Sequence, residues 1–157
     1  WQGVEGLEAA LGKNGVCSNY AIGGATYTWE LLNNFQGGNA LFTFPATPIK
    51  CAGAPQKIMY LADDIFRRNG VRANSNLTYC TAGPKIFAID TFVQPLMQVL
   101  KRRQISLKTK HNLQAIRPAE KEAIFAVTTD SGTTTVTLPY DILHVAPPMS
   151  APDFIKR

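Results

Sequence analysis

The sequence predicts an α/β domain. The expected fold is a Rossmann-like three-layer arrangement, a parallel sheet with an antiparallel β-hairpin excursion. Three observations predict it. Short apolar runs at 39–44 and 76–80 alternate with segments of helical periodicity at 26–35, 56–68 and 90–104. Two β-rich runs, 122–129 and 133–138, flank Ser131-Gly132, a hairpin signature. A last apolar run, 141–146, stops at Pro147-Pro148. Read in order, this is βαβαβ, a hairpin and a final strand, the pattern of a doubly wound layer with an excursion on one side.

Each element has its own warrant. Residues 1–20 read as irregular apart from a short helix over 5–11. Tyr27, Leu31 and Phe35 give the second segment its helical spacing. The strand at 39–44 follows Gly37-Gly38 and is apolar and aromatic-rich, which suits a buried strand. In the next helix Ile58, Leu61, Ala62, Ile65 and Phe66 recur at helical spacing, with Pro55 fitting its first turn and Asn69-Gly70 its stop. Asp90 or Thr91 opens a helix to about Gln104. Pro95 lies inside it, where it loses little near the first turn but kinks the helix if deeper. Residues 105–116 alternate polar and apolar and read as one strand.

The chain has 157 residues, 45% hydrophobic and 17% charged, which fits one folded domain over 1–157 rather than a disordered chain. No apolar stretch is long enough to span a bilayer as a helix. Net charge is +5. The basic residues cluster at predicted helix ends, where they complement the macrodipole, so they read as a solvated surface and no nucleic-acid partner is expected. Three cysteines without a CxxC, and two histidines, exclude a disulfide scaffold and make a structural metal site unexpected. No G-x-G-x-x-G follows either early strand, so the layer lacks a pyrophosphate loop.

Cys51 is the residue that carries chemistry. It sits in a strand–turn–helix run, beside Lys50 and just before a helix N-terminus. Both neighbours favour a thiolate, the form that attacks sulfur and carbon electrophiles. The competing reading is a small buried cysteine at a strand-to-helix corner. Cys17, 34 residues earlier, reads as a surface or loop thiol. Cys80 and His144 both read as packed core groups, His144 as a core histidine with its ring nitrogens satisfied.

Residues 44–61, centred on Lys50-Cys51-Ala52-Gly53-Ala54-Pro55-Gln56-Lys57, resemble the central cysteine segment of sulfide:quinone oxidoreductases, most closely the mitochondrial-type branch. Gly15-Val16-Cys17-Ser18-Asn19-Tyr20, residues 38–44 and residues 142–150 resemble it in the same order. The resemblance covers nearly the whole chain. It implies the middle, NAD(P)-binding-like domain of a two-domain flavoprotein, as in FAD/NAD(P)-linked disulfide reductases, with residues 1–25 leading in from the FAD domain. A start without Met and an abrupt end suit a piece of a longer protein.

By the same resemblance, Cys51 is one of two redox cysteines that handle sulfide as a persulfide, with its partner beyond Arg157. Lys50 stabilises the thiolate, Cys17 matches a third cysteine of some bacterial members, and Pro147 and Pro148 lie on the flavin side. FAD and quinone are the cofactor and electron acceptor of the parent, and a small molecule takes the sulfur. FAD is not expected to be bound by this piece. Membrane association is peripheral, through segments beyond it. Two other readings stand beside this one: the flavoprotein subunit of a flavocytochrome c sulfide dehydrogenase, and a non-redox nucleotide- or protein-binding module in which Cys51 is structural.

Overall fold

The computed structural model describes Trp1 and residues 3–156. Strand β2 (Gly38–Phe44) forms the middle of a five-stranded sheet. On one side it pairs with β3 (Ser75–Thr81), which pairs in turn with β4 (Ser106–Lys108). On the other it pairs with β8 (Ile142–His144), which pairs with β1 (Val16–Cys17). All four pairings are parallel. The last strand of the chain is thus wedged between the first two.

Alternation along the strands sorts the core into two halves. Ala40, Phe42, Leu77, Tyr79 and Ile142 face the helices α2 (Gly24–Asn33), α3 (Ala54–Arg68) and α4 (Asp90–Arg103), meeting Leu32, Met59, Phe66 and Leu100. Leu41, Cys80 and Leu143 face the other way. They meet Leu113, Phe125 and Tyr140 of a second layer and Leu7 of the short helix α1 (Leu7–Ala10). That layer is an antiparallel sheet of β5 (His111–Arg117), β6 (Glu122–Thr129) and β7 (Gly132–Pro139). Helices, parallel sheet and antiparallel sheet make the three layers the sequence predicts.

Three expectations need correcting. Residues 105–116 are not one strand: β4 and β5 belong to different sheets. Lys110 takes a left-handed φ of 57° between them and turns the chain across, with its N–H on the Gly83 carbonyl at 2.9 Å. Alternation continues on both sides of this turn, so periodicity alone hides it. Residues 1–20 are more ordered than expected, because Val16–Cys17 forms a strand and Val4, Leu7 and Ala10 are buried. The segment 1–25 therefore packs on both faces of the sheet. The α2 helix begins two residues earlier than predicted. In α4, Pro95 falls past the first turn and the helix still runs on to Arg103.

Gly15 explains how β8 enters. Its φ is 81°, and a Cβ there would lie 2.1 Å from the Asp141 carbonyl oxygen. Only glycine lets the two segments approach so closely, and the Leu143 N–H then donates to the Gly15 carbonyl at 2.9 Å.

At the same end of the sheet, toward the β3 side, the carboxylate of Asp63 on α3 is fully buried. Its oxygens accept from Arg67 Nε at 3.0 Å, Arg72 Nε at 2.6 Å and Arg103 Nη1 at 2.6 Å. Arg72 also donates to the Ser75, Arg103 and Gln104 carbonyls at 2.7–2.8 Å. It thereby supplies partners to the last carbonyls of α4, which a helix end otherwise leaves open. Burial alone would raise the Asp63 carboxyl. The three arginine hydrogen bonds outweigh it and hold the group below the usual carboxylate range.

A depressed folded value means that the stability from Asp63 is fully present above about pH 4, the unfolded value, and is lost as pH falls through the lower folded one. Asp63→Asn is expected to cost about 3 kcal/mol and to lower the thermal midpoint by roughly 6–12 °C. It is also expected to flatten the acid limb of the stability curve below about pH 4. Thermal melts by circular dichroism across pH 2–7 check both. An unchanged acid limb in the variant would contradict this assignment.

Candidate active site around Cys51

In open α/β sheets ligands gather at the carboxyl ends of the strands, where strand order reverses. Here that point lies between β2 and β8. The connection from β2 to α3, residues 45–53, carries Lys50 and Cys51 over it. Pro147 and Pro148 follow β8 at the same end. Met149 N–H donates to Thr47 Oγ1 at 2.9 Å and ties the two segments together. Thr43 Oγ1 adds a second tie, accepting from the Ala146 N–H at 3.2 Å.

Cys51 is exposed and is not in a disulfide. Its carbonyl accepts from the Ala54 N–H at 3.2 Å, which starts the turn into α3. Gly53 caps α3, Pro55 lies in the first turn, and no side chain caps the helix. The N-terminal end of α3, with its partial positive charge, is therefore left uncapped near the thiol. Lys50 and Lys57 are exposed and neither makes an ion pair among the described residues. The reading of Cys51 as a buried corner residue does not survive this exposure.

The other two cysteines are buried. Burial pushes the Cys17 thiol up to about 12, against a weaker downward pull from the Thr28 hydroxyl. Burial likewise pushes Cys80 up to about 12, with Lys108 pulling weakly the other way. Cys17 is therefore neither a surface nor a loop thiol. It packs in the helix-side core beside Leu32 and Ile142, and its environment opposes the thiolate that a sulfur carrier needs.

Sequence reasoning missed two groups. His144 is buried as expected, but it is only half satisfied. Its Nε2 accepts from the Asn19 N–H at 3.3 Å, while Nδ1 has no partner among the described residues. Burial pushes the ring down to about 4, so it is neutral near pH 7. The Tyr20 hydroxyl is also buried without a partner. Burial first, and the nearby Cys51 second, raise its pKa. A histidine inside an apolar run was the available signal; nothing local singled out Tyr20.

Three cavities surround the first turn of α3. One of about 260 Å³, beside Phe44, Ala52 and Thr81, lies under the cysteine loop. One of about 460 Å³, lined by Gln56, Tyr60, Phe87, Phe92 and Leu96, runs between α3 and α4. The third, about 240 Å³, lies against Tyr20 and His144. None is a dinucleotide cradle. A pyrophosphate turn needs glycines where strand meets helix, whereas the 45–53 connection has one glycine, two prolines and a projecting Cys51. The residues here do not fit an FAD pyrophosphate site.

No family model matches the chain. Mouse mitochondrial sulfide:quinone oxidoreductase is 44% identical over the whole chain. The corresponding protein of Dictyostelium discoideum is 41% identical, again over the whole chain. The chain spans 35% and 34% of their respective lengths. The solved sulfide:quinone oxidoreductase of Aquifex aeolicus matches 98% of the chain and 35% of its own with a TM-score of 0.77, at 18% identity, which bears on the fold alone.

Iodoacetamide at pH 7 is expected to label Cys51 and to leave Cys17 and Cys80 unmodified in the native protein. A thiol at about 12 is ionised to roughly one part in 100,000 at that pH. Peptide mass spectrometry over time checks this, and labelling of Cys17 at the rate of Cys51 would refute the placement. Along its whole length the chain is similar in sequence to mitochondrial sulfide:quinone oxidoreductases, of whose length it spans about a third, and it shares the fold of the corresponding part of the Aquifex aeolicus protein.

Proposed function

We propose that this segment supplies one of the two redox cysteines with which the full-length protein oxidises sulfide. The observation that carries the reading is an exposed Cys51 at the strand-order reversal, in a chain 44% identical to a sulfide:quinone oxidoreductase. Hydrosulfide attacks a sulfur of the oxidised cysteine pair. The bond within the pair breaks, a persulfide stays on one cysteine, and the electron pair leaves on the other as a thiolate. Exchange of this kind depends on access and on the stability of the leaving thiolate.

Each local feature has a part in this. Lys50 and the uncapped α3 terminus flank Cys51 and leave its sulfur open to attack from solvent. Pro147 and Pro148, held to the cysteine loop through Met149 and Thr47, present a rigid wall toward the flavin side. FAD, bound by the rest of the full-length protein, serves as the two-electron acceptor ahead of quinone. A small acceptor takes the persulfide sulfur, and the full-length protein associates peripherally with a mitochondrial or bacterial inner membrane. No helix among the described residues is long and apolar enough to cross one. Cys17 could act as an auxiliary carrier only after a rearrangement that exposes it.

Sulfide-dependent reduction of a soluble quinone by the full-length protein is expected to fall to background in Cys51→Ser, with flavin absorbance retained. Cys17→Ser is expected to keep most of the activity. Retained turnover in Cys51→Ser would remove the mechanism. Reduction of a cytochrome in place of quinone would point to the flavocytochrome reading instead.

A further inference from the structure

The connection from β2 to α3 carries Cys51 with little to hold it. Pro45 and Pro48 have no N–H to donate. Among the described residues, one hydrogen bond joins residues 45–52 to another segment: the Met149 N–H donates to Thr47 Oγ1 at 2.9 Å. The bond from the Ala54 N–H to the Cys51 carbonyl is local and belongs to the turn into α3. The tie from Ala146 to Thr43 lies upstream, inside β2, and leaves the loop free. Past the buried Pro45 the loop is exposed at Ala46, Pro48, Lys50 and Cys51, so packing adds little there.

The place of that single bond matters. Thr47 divides the loop, so with the tie made only residues 48–50 stand free between an anchor and Cys51. Without it the free run begins at Pro45. Pro45 and Pro48 fix φ on either side of Thr47, so holding this one side chain holds the stretch 45–48. The other partner is well founded too. Met149 follows Pro147-Pro148, shortly after β8, which pairs with β2 at the strand-order reversal. We infer that Thr47 is a positioning residue for Cys51: its hydroxyl oxygen pins the cysteine loop to the segment after β8 and so fixes where the thiol stands. This role rests on the reading of Cys51 as a redox cysteine. It does not require Thr47 to touch sulfide, flavin or the sulfur. Rates fall steeply when a reacting group is displaced by about an ångström, so the tie acts on turnover rather than on quinone affinity.

Variants of the full-length protein test this. Thr47→Val keeps the shape of the side chain and removes the acceptor, whereas Thr47→Ser keeps the acceptor. In Thr47→Val the kcat for sulfide with a soluble quinone is expected to fall roughly tenfold, with the KM for quinone and the flavin absorbance unchanged. Thr47→Ser is expected to stay near wild type in both. Hydrogen exchange at the Met149 amide gives a readout independent of turnover. It is expected to quicken severalfold in Thr47→Val and to match wild type in Thr47→Ser. Thr47→Ala removes the same oxygen without setting a methyl against the N–H, and carries the comparison if Thr47→Val loses its flavin. Wild-type kcat in the variants that lack the oxygen would overturn the inference, and so would an equal loss in Thr47→Ser. Failure of the Cys51 reading looks different: Cys51→Ser would turn over like wild type while exchange at Met149 still responded to Thr47→Val.

Discussion

One buried carboxylate sets the geometry on which the site depends. Asp63 binds α3 to the Arg72 turn and to the end of α4 through three arginines, and Arg72 extends the network to the Ser75 carbonyl at the start of β3. The cysteine loop hangs from the other end of α3, about three turns away. The angle of α3 over the sheet decides where Cys51 and the uncapped first turn are held. Replacing the carboxylate leaves three guanidinium groups facing one another without a counter-charge, and that repulsion acts on the helix that presents the thiol. The hub has no part in the chemistry, yet it fixes the frame for it.

The sheet therefore has two ends with different demands. At the hub end, the Asp63 carboxylate is paired and the last carbonyls of α4 have partners. At the other end donors are left over: the first turn of α3, His144 Nδ1 and the Tyr20 hydroxyl. Burial sorts the cysteines in the same way. Cys17 and Cys80 lie on opposite faces of the sheet as packed thiols, and only Cys51 is offered to solvent.

Much of this was legible in the sequence. The helices at α3 and α4, the strands β2 and β3 and the hairpin of β6 and β7 follow from local period and punctuation, because each is long enough for its pattern to repeat. The failures have physical causes. Val16–Cys17 is too short to show a period and exists as a strand only because β8 pairs with it. The break at Lys110 rests on a left-handed lysine, which has no compositional signature. Cys51 was found from a local motif, since its loop, proline and helix are contiguous. The Tyr20–His144 cavity was not, since it joins residues 124 positions apart (144 − 20).

That separation has a kinetic side. The β1 and β8 segments meet through a contact spanning 127 residues, from Ser18 to the Val145 carbonyl, and β8 joins β2 across about a hundred. Closing such long loops costs chain entropy before any contact repays it, and non-local parallel pairing slows folding. The sequence-local pairing of β2 with β3 and the β6–β7 hairpin can form early. The wedge of Ile142–His144 closes last. During synthesis the Cys51 loop is made roughly ninety residues ahead of β8, the strand beside it in the sheet, so the end of the domain that carries this loop is the last to be completed.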